Sequence, residues 1–369
     1  MKKFFKITTA VLAVGMAATM AGCSGCAGCN GSNVNLTVTN SNWFTGTSYK
    51  GIQPSFIAED GYENFIEDID YKVDFDNSTA TNPYYSVNYR DGSYNTKFYA
   101  LRYDWKNSKK YASSSEDIEV LYYYSTEMHV SVEYIFKDGS SSGRFEDSVI
   151  SECYFRAAGK SLQPVFSKQE IKSTSPNKNN PKNISEAYKR IDVVYENYYD
   201  RGCTEVTSII KEAGKAESEK VYPFKNVNNT LFDNSALYIA VRSMKLSDTY
   251  SQTVSLFNAA AGGVSAYAIN GYDSPLPDKE RGDITSALTQ KGLYTPKADD
   301  EGVSSVAMSI NFVGGNLIGT TQSVWYAAIE NADNNTSRAT MLKISIPLSY
   351  NLGTLNFTLQ NVNSTLWNN

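Results

Sequence analysis

Large apolar and polar side chains alternate along much of the chain with period two, the pattern of strands that bury one face and wet the other. Tyr71, Val73 and Phe75 alternate with Lys72 and Asp74, and Tyr85, Val87 and Tyr89 repeat the pattern. Asp91-Gly92 then offers a two-residue hairpin turn, with Tyr99, Leu101, Tyr103 and Trp105 on its far side. The longest array puts Ile118, Val120, Tyr122, Tyr124, Met128, Val130, Val132, Tyr134 and Phe136 on one face, broken only by Thr126. It predicts one long bent strand, or two joined by a bulge near Ser125. Lys137-Asp138-Gly139 makes a turn, and Phe145, Val149, Cys153 and Phe155 share the parity of a returning strand. Residues 187–199 and 203–210 flank Asp200-Arg201-Gly202 as another hairpin, and Val306, Met308, Ile310 and Phe312 lead into Gly314-Gly315. Near the C-terminus Leu342, Ile344, Ile346, Leu348 and Tyr350 face Leu355, Phe357 and Leu359; Pro347 lacks a ladder donor, so its strand should be an edge or bulged there.

Helix signals are few. Asp233, Asn234 and Ser235 are good capping types ahead of Leu237, Tyr238, Val241 and Met244 at helical spacing, which predicts a helix over about 235–245. A second should begin near Asp283 and stop at Gly292. The fold class that follows is mostly β: a large curved antiparallel sheet, a half-open barrel, with one or two short helices. Ser173–Asn183, with two prolines and no apolar side chain, could divide residues 34–369 into two lobes or be a long surface loop of one sheet.

The first 22 residues have a different logic. Lys2, Lys3 and Lys6 precede an apolar run from Ile7 to Met20 and then small residues, the layout of a secretory signal peptide. Met20-Ala21-Gly22-Cys23 resembles the bacterial lipobox, which implies cleavage before Cys23 and a diacylglyceryl group on its sulfur. Two acyl chains meet the requirement for stable anchoring, at roughly 0.8 kcal/mol per buried methylene. Residues 23–33 are Gly, Ser, Asn, Ala and Cys, a flexible tether. The expected place is therefore extracytoplasmic, with the membrane as a partner through the lipid on Cys23. Removing residues 1–22 lowers the basic count from 34 to 31 against 39 acids, a net charge of −8. So acidic a body argues against nucleic acid as partner.

Candidate chemistry is thin. Cys23, Cys26 and Cys29 are closely spaced, but lipid would consume the first and no histidine lies near, so no metal is expected there. Cys153 and Cys203 could close a disulfide in an oxidising exterior or remain free thiols. His129, the only histidine, falls on the polar face of its strand and has no nucleophile motif beside it. Glu59, Asp60, Glu63, Glu67, Asp68 and Asp70 cluster in sequence, and a glycosidase would need two such carboxyl groups facing each other across a cleft. Trp43, Trp105, Trp325 and Trp367 could stack on sugars, although aromatics in strands are more often core. No cofactor motif is present in the sequence.

Leu162-Gln163-Pro164-Val165-Phe166 and Asp233-Asn234-Ser235-Ala236-Leu237-Tyr238 resemble segments of a family of uncharacterised bacterial envelope proteins whose curved antiparallel sheet is related to periplasmic lipoprotein carriers. The resemblance implies a half-open barrel with a helix against its concave side, a shape that in the carriers holds acyl chains; it transfers no binding residue. Two functions follow as expectations. One is a non-catalytic, membrane-anchored envelope module that binds an apolar or cell-wall ligand; the other is a surface glycan hydrolase using paired carboxylates, with Asp68 and Asp70 foremost.

Overall fold

Among the described residues, fifteen strands hydrogen-bond into one open sheet, every neighbouring pair antiparallel but one. The computed structural model describes residues 64–104, 118–158, 161–177, 180–198, 202–223, 232–242, 246–260, 262–296, 301–313, 321–327, 329–331, 336–338 and 340–364. The first half is a meander: β1 (Asn64–Asp76), β2 (Tyr85–Asp104), β3 (Ile118–Phe136), β4 (Ser141–Ala158), β5 (Ser161–Pro176), β6 (Ile184–Tyr198), β7 (Gly202–Glu212) and β8 (Ser218–Pro223). A short β9 (Phe232–Asp233) leads through one 3-10 turn into helix α1 (Leu237–Arg242). The second half contains β10 (Ser251–Asn258), β11 (Gly263–Tyr272), helix α2 (Asp278–Gln290), β12 (Ser305–Val313), β13 (Thr321–Ala327), β16 (Met341–Pro347) and β17 (Thr354–Ser364). Between β13 and β16, β14 (Ile329–Asn331) and β15 (Thr336–Arg338) form a separate hairpin. The halves join where β17 pairs with β1, leaving β8 and β9 at the two ends of the sheet.

Twist rolls a sheet of this width on itself. Tyr222 of β8 and Phe257 of β10 meet with ring centroids 5.1 Å apart, so the two ends come into side-chain contact. Helix α1 lies inside the curve, with all six residues buried. Inward tyrosines from many strands fill the space around it, and several of their hydroxyls find partners inside the fold. Tyr71 donates to the Met341 carbonyl at 2.9 Å, Tyr326 to the Tyr238 carbonyl at 3.0 Å, and Tyr238 to Gln322 Oε1 at 2.8 Å. Helix α2 covers the outer face near β17, where Glu280 holds the buried Lys343 ammonium at 2.5 Å above the Trp325 ring.

Several turns differ from the sequence pattern. Asp91-Gly92 is not a hairpin but a bulge within the continuous β2, Asp91 taking φ 51°. A Cβ at position 92 would sit 2.8 Å from the Val73 Cβ, so tight packing of β1 on β2 explains this glycine. In turn β3 pairs with β2 past Ser125 without a shift; the irregularity lies in its partner. Ser173–Asn183 does not divide two lobes: Pro176 pairs with Ile184, and Asn177 N–H donates to the Asn183 carbonyl at 2.8 Å, closing an ordinary hairpin between β5 and β6. Pro347 is neither at an edge nor at a bulge. It ends an interior strand, opposite Thr354. The first helix is short, with a 3-10 start at Asn234, and α2 begins at Asp278, five residues before the expected Asp283, because Asp278 and Glu280 suit a first turn.

Candidate functional site

The polar groups that converge at the surface do so where the ends of the sheet approach. Asp233 lies in β9, which pairs in parallel with Leu256 and Phe257 of β10. Its extended backbone (φ −85°, ψ 142°) makes it the cap of the following turn, and its Oδ1 accepts the Ser235 N–H at 2.6 Å. Its Oδ2 accepts from Ser167 Oγ of β5 at 2.6 Å and from the Tyr195 hydroxyl of β6. One carboxylate therefore ties β10 to β5 and β6 across the open side of the sheet. Burial pushes its pKa above the ordinary value, and the hydroxyl and amide donors pull the other way.

Beside it is a recess lined by Ser167, Gln169, Asp233, Asn234, Asn258 and Phe257, with Ser235 and Ala260 among its outer residues. Tyr267 Oη donates to Asn234 Oδ1 at 2.9 Å and lies 3.3 Å from Asn258 Nδ2, and Gln169 Nε2 donates to Ser151 Oγ at 2.9 Å. The enclosed volume is about 20 Å³, room for one water molecule; with its open mouth the recess measures about 250 Å³. The 20 Å³ is far below the roughly 300–1,000 Å³ of pockets that engulf a ligand, so what fits is a single polar group reaching in from outside. The acyl-chain space implied by the carrier resemblance is occupied in this region by α1 and the tyrosines.

The residues singled out in the sequence fall elsewhere. Cys153 is a free, buried thiol on β4, next to Ser167 in register, and is not half of a disulfide with Cys203. Cys203 is on β7, three strand spacings away; at about 4.8 Å each this gives roughly 14 Å, twice the Cα separation a disulfide tolerates. Burial and then the Asp233 charge push the Cys153 thiol pKa up. His129 faces outward, 2.8 Å from Glu127 Oε1. The acidic cluster is split by strand alternation. Glu67 points inward to Arg242, whereas Asp68 and Asp70 share the outer face, both accepting from Asn95 Nδ2, at 2.7 and 2.8 Å. Two carboxylates bridged by one amide on a single strand do not face each other across a cleft. Trp325 is a packing residue, its Nε1 donating to the Ser274 carbonyl at 2.8 Å. Cys23, the tether, Glu59, Asp60, Glu63, Trp43, Trp105 and Trp367 lie outside the described residues. In the sequence Asp233 carries only a capping signal, and Ser167, Gln169, Tyr195 and Asn258 carry none that marks a site, beyond the inward parity of Ser167 and Gln169 as polar residues in a buried stripe.

No family model and no curated protein matches this chain. Among solved structures it is similar to a beta-barrel-like protein of a domain of unknown function from Brucella abortus, with 8% identity over 81% of this chain and 97% of that one and a TM-score of 0.38.

Proposed function

We propose that the protein is a non-catalytic, extracytoplasmic module, fixed to a membrane by lipid on Cys23, that recognises a polar group of a cell-wall ligand at the recess beside Asp233. The observation that carries this reading is the convergence of Ser167, Gln169, Asp233, Asn234 and Asn258 on one open-mouthed recess at the seam of the sheet. Preformed polar groups on strands are held more rigidly than loop residues, which favours recognition of a hydroxyl or amide presented from outside. The packed interior favours a polar ligand over an acyl chain. The lipobox-like Met20-Ala21-Gly22-Cys23 supports the anchor, and the acidic body is compatible with a neutral wall polymer more than with an anionic one.

Two measurements test the reading separately. Cells fed an alkyne-tagged fatty acid should label the wild-type chain and not Cys23→Ala; an unlabelled wild type removes the anchor. Purified cell-wall sacculi should retain the wild-type protein, and Ser235→Trp, which blocks the mouth, should abolish retention while leaving the circular dichroism spectrum unchanged. Equal retention of the folded variant would move the ligand away from the recess.

A further inference from the structure

The inward stripe of β4 runs Phe145, Asp147, Val149, Ser151, Cys153 and Phe155, and it places a carboxyl group where its neighbours are apolar. Asp147 is fully buried. Its Oδ1 accepts from Thr174 Oγ1 of β5 at 2.9 Å, and the Tyr134 hydroxyl of β3 donates to the Thr174 carbonyl at 2.7 Å. Among the described residues its Oδ2 has no hydrogen-bond partner, and neither has the buried Tyr89 Oη of β2. All four residues sit at the same end of the meander, near the start of β2 and β4 and the end of β3 and β5. A buried ionised carboxylate with an orphaned oxygen is costly, and the cost is relieved by taking up a proton or by opening to water.

We propose that Asp147 is a proton-controlled latch: in its neutral form the β2–β5 end of the barrel stays packed, and loss of the proton loosens that end. The groups acting on Asp147 besides Thr174 are the Glu146 carboxylate of its own strand and Glu186 of β6, both repelling a negative charge, and it acts in turn on the phenols of Tyr89 and Tyr134, with Tyr85 beside them. Burial first, and these carboxylates after it, push its pKa up to about 7. An aspartate held above its ordinary value binds a proton on folding, so the stability it confers is present in acid. That stability falls as pH rises from the ordinary carboxylate range to about 7, and it changes no further above that. The inference is independent of the recess and of the anchor.

Hydrogen exchange of the full mature protein, corrected for intrinsic rates, reads the latch. Between pH 5.5 and 8.5 the opening equilibrium of peptides covering 132–149 and 171–176 should rise about thirtyfold, while peptides from β11 and β12 stay flat. Asp147→Asn, which keeps the acceptor for Thr174 and cannot ionise, should remove the pH response. Thr174→Val, which deletes a donor to the charged form, should shift the transition to higher pH, and it decides the matter if the asparagine variant does not fold. A flat wild-type profile, an asparagine variant that keeps the response, or a valine variant with an unmoved transition would each overturn the latch.

Discussion

The link between α1 and β1 offers a quantitative check on how the inside of the barrel is held. Arg242 donates through Nη1 to Glu67 Oε1 at 2.5 Å and through Nη2 to Oε2 at 2.9 Å, and the Thr340 hydroxyl lies 3.4 Å from the same oxygen. Both side chains are almost wholly buried, 9% and 4% exposed, so water screens the pair little. Arg242→Met keeps the length and removes the charge, leaving Glu67 with one weak donor. Breaking a buried pair in this way costs roughly 3–5 kcal/mol, because an uncompensated charge remains inside. Replacing both partners, Glu67→Met with Arg242→Met, removes that charge and should return stability to within about 1–2 kcal/mol of wild type, or above it. Urea unfolding followed by tyrosine fluorescence, applied to wild type, Arg242→Met, Glu67→Met and the double variant, gives the four free energies and closes the double-mutant cycle. A single variant costing under about 1 kcal/mol, or a double variant as unstable as the sum of the singles, would refute the claim that desolvated charge dominates this contact.

Further outcomes follow from the same geometry. Asp233→Ala should destabilise by about 2–4 kcal/mol, combining a lost cap with the lost acceptor of the Ser167 and Tyr195 hydroxyls, and Asp233→Asn by about half as much, both read by urea midpoints. Tyr94 buries a hydroxyl with no partner, so Tyr94→Phe should leave the melting temperature unchanged or raise it, by up to about 1 kcal/mol of stability. Cys153 should resist iodoacetamide at pH 8 in the native protein and react fully in urea, as measured by mass spectrometry of the peptide covering β4.

Much of the β architecture is local information. The period-two stripes on β1, β3, β12 and β17, the Gly139 turn and the Asp233 cap are all set by nearest neighbours, and the structure keeps them. The mostly antiparallel sheet with two short helices follows from the same patterning. Asp91-Gly92 shows where such reasoning stops: the dipeptide suits a hairpin or a bulge, and the choice is made by Val73 and Val130, which press on the glycine from other strands.

The chain's own order of residues determines which side chains face inward, how the strand ends turn, and the charge of the N-terminal segment, since each depends on contacts a few residues apart. Only the tertiary structure decides that β17 pairs with β1, that α1 fills the curve, and that Asp233 meets Ser167 and Tyr195 from 66 and 38 residues away. The physical reason is that pairing partners and the fate of a buried carboxylate depend on which surfaces the rolled sheet brings together. No periodicity along one strand encodes that.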